Sequence, residues 1–153
     1  MKAGLFSIGL DTYWGQFDGL LDNLTGYHKK ISEHISSFGL EVFDAGMVDN
    51  EAKAKVAGRD MLKEEVDLIF VFISTYALSS TVLPVVQAVG KKVILLNIQP
   101  TETLDFDKFN ALADRGVMTG AWLENCQACS IPELACVFNK AGIDYEIVSG
   151  YLD

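Results

Sequence analysis

The sequence predicts an α/β fold of three layers, α/β/α, with an open, mainly parallel five-stranded sheet in the middle. Two stretches carry that prediction. "VDLIFVFIS" (66–74) and "KKVILLNIQ" (91–99) are strand-sized runs with almost no polar interruption, as expected of strands buried on both faces. Segments of helical period lie between such runs. Strands and helices alternating in this way call for right-handed crossovers and a parallel sheet.

The elements follow in order. "KAGLFSIGL" (2–10) is short, apolar and partly aromatic, a first strand. From Leu20 the apolar positions fall at Leu24, Tyr27, Ile31, Ile35 and Phe38, one face of a helix that Gly39 can end by adopting positive φ. "LEVFDAG" (40–46) is the second strand. "VDNEAKAKVAGRDMLKEE" (48–65) is a second helix capped by Asp49 or Asn50, with Ala52, Val56, Ala57 and Met61 facing inward. Gly58 weakens that helix by up to about 1 kcal/mol. After the 66–74 strand, a helix runs from about Ser80 to Val89, with Ser79 and Ser80 as caps, Pro84 near its first turn and Gly90 at its end. Beyond the 91–99 strand, Pro100 opens a less regular region with helical pieces at 107–113 and 119–126. Ser130, Pro132 and Glu133 then supply a cap, an early proline and a carboxylate three residues after the cap, starting a helix through Leu134, Val137 and Phe138 to Gly142. "DYEIVSGYL" (144–152) is the last strand. The order is that of a Rossmann/flavodoxin-like sheet. The residues 1–153 make one such domain. The sequence stops at "GYLD" without a closing helix, which predicts an incompletely covered sheet flank and a subunit continuing past Asp153.

Composition narrows the function. Half of the residues are hydrophobic and 22% are charged, ordinary for a globular chain and wrong for disorder. The net charge of −9 repels phosphate backbones and anionic headgroups, so nucleic acid and membrane surfaces are not expected partners. The longest apolar runs, "LIFVFI" and "VILLNI", fall far short of the roughly 20 residues of a membrane-spanning helix. "MKAGLFSIGLD" reads as a strand and not a signal peptide. Cys126, Cys129 and Cys136 are odd in number and confined to eleven residues, which predicts no disulfide framework and fits a reducing cytoplasm.

In open parallel sheets, ligands bind outside the carboxyl ends of the strands. The connections at 9–19, 44–50, 74–80 and 97–106 therefore matter most. Neither a G-x-G-x-x-G nor a G-x-x-x-x-G-K-[ST] cradle occurs, which argues against a nucleotide enzyme. In "LDTYWGQF" the large side chains either cover the end of the core or line a site; Phe17 suits a staple on the coming helix. Asp11, Tyr13 and Trp14 suit a sugar, since ring faces meet C–H groups while a carboxylate accepts hydroxyl hydrogens. "STYALSST" (74–81) brings Ser74, Thr75 and Tyr76 toward the same edge. "NIQPTE" (97–102) adds Asn97, Gln99 and Glu102, although Asn97 and Gln99 also fit turn chemistry before Pro100. His28 and His34, six apart, are not an i, i+4 metal pair and read as surface or packing residues. "CQAC" lacks the four ligands of a zinc site and the strand-then-helix context of a redox motif. It reads as buried thiols at a helix junction, with a partner contact or redox chemistry as alternatives. The many carboxylates, Glu64 and Glu65 or Asp105 and Asp107 among them, form no tight pair and read as a solvated surface.

Several blocks together resemble a known family. "GLDTYWGQFDGLLDNLTGYHKKI", "EVFDAGMVDNEAKAKVAG", "DLIFVFISTYALSSTVLPVVQ" and "MTGAWLENCQACSIPELACVFNKAGIDYEIVSGYLD" are similar to the N-terminal domain of the L-arabinose/L-fucose isomerase family, in its arabinose-isomerase-like branch. The resemblance covers essentially the whole chain. It implies an aldose–ketose isomerase using Mn2+ or another divalent metal, whose two glutamate and two histidine ligands lie in later domains. No residue here is then a metal ligand or catalytic. The resemblance also implies a homo-oligomer in which this domain lends residues to the rim of a neighbour's sugar pocket. By alignment of the family's T-G-S-Q-x-L-Y-G loop with residues 8–15, Asp11 takes the glutamine position, Tyr13 the leucine and Trp14 the tyrosine. By alignment of H-T-F-S-x-A with residues 74–79, Tyr76 replaces a substrate-lining phenylalanine. The histidine that the family carries after the fourth strand has no counterpart: "ALADRGVM" offers Asp114 and Arg115. The alternative is a stand-alone flavodoxin-like module that binds a small polyol or a protein partner.

Overall fold

In a computed structural model, which describes residues 1–152, five strands form a single all-parallel sheet in the order β2-β1-β3-β4-β5. These are β1 (Lys2–Ile8), β2 (Glu41–Val48), β3 (Leu68–Phe72), β4 (Val93–Gln99) and β5 (Tyr145–Tyr151). The helices are α1 (Leu20–Ser37), α2 (Glu51–Lys63), α3 (Ser79–Val89), the short α4 (Phe106–Asn110), α5 (Arg115–Glu124) and α6 (Ile131–Ala141). The three-layer reading of the sequence holds.

Strand periodicity sorts the core into two faces. Phe6, Ile8, Ile69, Val71, Ile73, Val93 and Leu95 meet α2, α3 and α6 in the larger cluster. Leu5, Phe72 and Leu96 meet Ile31 and Ile35 of α1 on the other face. β1 pairs with both β2 and β3, so the chain leaves it in one direction and returns on its other side. That reversal opens a crevice at the carboxyl ends of β1 and β3. The helix over β4 and β5 that would complete the α1 face is not among the described elements: Val148, beside Leu96 on that face, is 46% exposed. The uncovered flank expected from the sequence is present, while Asp153 lies outside the described residues.

Several details differ from expectation. α2 turns Ala54, Ala57, Gly58 and Met61 inward, and leaves Ala52 and Val56 exposed. Gly58 is the reason for that rotation. A Cβ there would lie 3.1 Å from Ala88 Cβ and 3.4 Å from the Val85 backbone. The glycine lets α2 press against α3, and packing outweighs its poor propensity. Asn50 is the α2 cap, its side chain accepting from Lys53 N at 3.0 Å. Phe38 does not join the inner face of α1. It follows the last turn, 72% exposed, edge-on to His34 at 5.0 Å. Pro84 sits inside α3 and not in its first turn.

The expected capping box at α6 is rearranged. Ser130 adopts helical dihedrals and caps nothing locally; its hydroxyl takes the Ala77 N–H at 3.0 Å. The Glu133 carboxylate accepts from both the backbone N–H and the hydroxyl of Ser79, at 3.1 and 2.7 Å. Glu133 therefore caps α3, where no local side chain does. Asn97 and Gln99 lie in β4, as the strand reading of 91–99 expects and not in a turn, and Asn97 donates across to Ser149 Oγ at 3.1 Å.

Candidate functional site

The loop after β1 follows from a close approach. A Cβ on Gly9 would sit 2.8 Å from Met47 Sδ and 2.9 Å from Trp14 Cζ2, both too short for a real contact. Only glycine lets the Trp14 ring fold back over the end of β1. A 3-10 turn at Asp11–Tyr13 then brings Tyr13 edge-on to Trp14, ring centroids 6.2 Å apart, and to Phe17 at 6.0 Å. These rings, with Tyr76 from the loop after β3 and Met47 from β2, pack on Leu20, Leu24 and Leu123. Phe17 thus packs at the start of α1, two residues before its Gly19 cap.

Polar groups fix the aromatics. Trp14 Nε1 donates to Asp49 Oδ2 at 2.8 Å, and Lys53 Nζ reaches the same oxygen at 2.7 Å. Asp49 is buried, with only 1% of its surface exposed, and its Oδ1 takes no hydrogen bond from the described residues. Asp11 is exposed at the outer edge and accepts from Asn50 Nδ2 at 3.2 Å. Burial, and secondarily the neighbouring Tyr76, raise the pKa of the Tyr13 phenol above its usual value. It stays a neutral donor and acceptor in the physiological range.

Of the four residues assigned to the rim, Tyr13, Trp14 and Tyr76 share one cluster, half-buried, and Asp11 lies beside them on the same loop. The neighbours expected with Tyr76 behave differently. Ser74 and Thr75 are fully buried; their hydroxyls donate to the carbonyls of Ile8 at 2.5 Å and Leu123 at 2.7 Å. A buried hydroxyl must find a partner, and here the nearest acceptors are main chain, so both turn inward. Glu102 is exposed. Asp114 caps α5 through Val117 N at 2.9 Å. A groove of about 370 Å³ opens between the first loop and α5, walled by Phe17, Asn23, Gly120 and Glu124 among others, but none of the four rim residues lines it.

Two polar arrangements were not legible in the sequence. Ser7, His28 and Asp44 form a chain: the Ser7 hydroxyl pairs with His28 Nδ1, and His28 Nε2 with Asp44 Oδ1 at 2.6 Å. A carboxylate only accepts, so the proton between His28 and Asp44 sits on Nε2, and the Ser7 hydroxyl, which can donate or accept, closes the chain at Nδ1. The trio has the composition of a hydrolytic triad, but Ser7 is 0% exposed on the inner face of β1. No substrate reaches it, and the chain of bonds pins α1 to β1 and β2. The desolvation of Asp44 favours its protonated form, but the His28 hydrogen bond and charge, the Gly46 N–H and Ser32 together outweigh it. The net pKa is lower than usual. The second arrangement is Glu124, which accepts from Tyr27 Oη at 2.5 Å and Asn23 Nδ2 at 3.1 Å, tying α5 to α1. One signal was available for His28: it falls on the inward face of α1, four residues after Leu24 and three before Ile31.

The cysteine reading needs correction. Cys126 and Cys129, read as buried thiols, are joined in a disulfide with Cys129 exposed, and Cys136 is an exposed thiol on α6. The three-residue separation closes so small a ring that the bond forms within one turn, outside any framework of distant crosslinks. Among the described residues no group of three or more His, Cys, Asp or Glu could hold a metal ion. No helix among the described residues is long and apolar enough to cross a membrane. The chain matches no family model and no curated protein.

Proposed function

We propose that this chain is the N-terminal domain of a metal-dependent aldose–ketose isomerase of the L-arabinose/L-fucose isomerase kind. In it the domain supplies oligomer contacts and the rim of a neighbouring subunit's sugar pocket. The observation that carries the reading is the convergence of Tyr13, Trp14 and Tyr76 at the carboxyl ends of β1 and β3, with the Asp11 carboxylate at the edge. Ring faces of this kind suit the C–H faces of an open-chain sugar, and Asp11 suits its hydroxyl hydrogens. The family resemblance of the blocks that carry these residues adds to it.

In this reading the domain binds and orients. The Trp14 indole is held by Asp49, and the aromatic rim excludes water from the reacting carbons. A divalent metal, manganese in the first instance, would polarise the two substrate oxygens from ligands outside this chain. The isolated domain is therefore inactive. The assembled protein is a cytoplasmic homo-oligomer with a sugar as its substrate and no role on nucleic acid or membrane.

A second reading, a stand-alone polyol-binding module, is favoured by one observation: the rim lies at the strand-order reversal, where a single sheet of this topology can hold a ligand unaided. The size of the native polypeptide, detected in its own cells with an antibody against this chain, separates the two. A polypeptide several times longer than 153 residues is the expected result. A native chain of 153 residues that binds a polyol in isolation would replace the first reading by the second.

A further inference from the structure

We propose that Cys126–Cys129 is a reversible thiol–disulfide exchange site whose state sets the mobility of the loop after β3. The two sulfurs differ in access. Cys126 is buried, 2% exposed, while Cys129 is exposed in the 3-10 turn Gln127–Ser130 just before α6. Exchange needs an approaching thiolate, so attack falls on the Cys129 sulfur and the buried Cys126 leaves. The incoming thiolate, from glutathione or a protein dithiol, bonds to Cys129 Sγ as the intramolecular S–S bond breaks and Cys126 departs as a thiolate. A second thiolate attacks the incoming sulfur, releasing Cys129 as a thiolate and the oxidised reductant as its own disulfide. Two electrons pass to the pair, and two protons from solvent complete the thiols.

The turn closed by this bond holds the loop after β3 by side chains. Gln127 Nε2 donates to the Ser74 carbonyl at 3.0 Å and to Glu124 O at 2.6 Å. The Ser130 hydroxyl receives the Ala77 N–H at 3.0 Å. Tyr76 lies between those two anchored residues. The anchorage is only half satisfied: Gln127 is fully buried and its Oε1 takes no hydrogen bond from the described residues, an unfavourable state for a buried acceptor. The covalent ring holds the turn in that arrangement. Once it opens, the turn can rotate the amide toward a partner, and the grip on residues 74–77 loosens. The exchange chemistry stands on its own; its consequence for sugar binding through Tyr76 rests on the function proposed above.

The test uses the wild-type chain, purified without reductant, treated with dithiothreitol under native conditions, then unfolded in guanidinium, alkylated with iodoacetamide and weighed. One adduct, on Cys136, is expected before reduction and three after it, with the far-UV circular dichroism unchanged. Hydrogen exchange at the amides of residues 75–78 is expected to quicken about fivefold on reduction, as for loss of a single anchoring hydrogen bond, while β1 and β3 keep their protection. In oxidised glutathione, Cys126→Ser is expected to take glutathione on Cys129, and Cys129→Ser to take none on Cys126. Three adducts without reductant, one adduct under every native reducing condition, or unchanged exchange at 75–78 after reduction would each overturn the proposal. Glutathione on Cys126 in the Cys129→Ser chain would overturn the order of attack.

Discussion

Gly9 and Asp44 are the two residues on which small changes have the clearest consequences. An alanine methyl at position 9 collides with Met47 and with the Trp14 ring, and overpacking of this kind costs about 1–3 kcal/mol. In a Trp122→Phe background, Gly9→Ala is expected to shift Trp14 emission to the red and to lower the urea midpoint by the corresponding amount. Asp44 acts through pH. Its folded pKa lies below the unfolded value of about 3.9, so its stabilisation is complete above the unfolded value and is lost as pH falls through the folded one. The side chain is 38% exposed, which screens the interaction to about 1 kcal/mol. Asp44→Asn should therefore lower the thermal midpoint at pH 7 and converge with wild type once pH has fallen through the folded value. A gap that persisted there would remove the carboxylate from the argument.

At the scale of elements, the strands were readable because apolar runs such as "LIFVF" need no partner to announce themselves, and the glycines ending α1, α3 and α6 were readable by their position. What was not readable depended on a second element. The facing of α2 is decided by Gly58 against Ala88, the direction of Ser74 and Thr75 by carbonyls of Ile8 and Leu123, and the capping of α3 by Glu133 from α6. A single helix pattern contains none of these. The Glu133 cap is testable: Glu133→Ala should cost about 1 kcal/mol and speed exchange of the first-turn amides of α3, leaving those of α6 unchanged. Faster exchange confined to α6 would return Glu133 to its own helix.

For the whole molecule, the parallel order β2-β1-β3-β4-β5 explains why residues distant in sequence, Trp14, Asp49 and Tyr76, meet at one end of the sheet. The strand ends were legible as the place to look; the buried Asp49 behind Trp14 was not, since "MVDNE" reads equally as a helix cap. The central claim is that this rim serves an aldose–ketose isomerase. The most direct measurement is an isomerase assay on native protein captured with an antibody to this chain, supplied with L-arabinose or L-fucose and Mn2+, before and after chelation. The account predicts ketose formation that stops when the metal is removed and returns with it. Captured protein that interconverts neither sugar, with metal present and its fold intact, would contradict it.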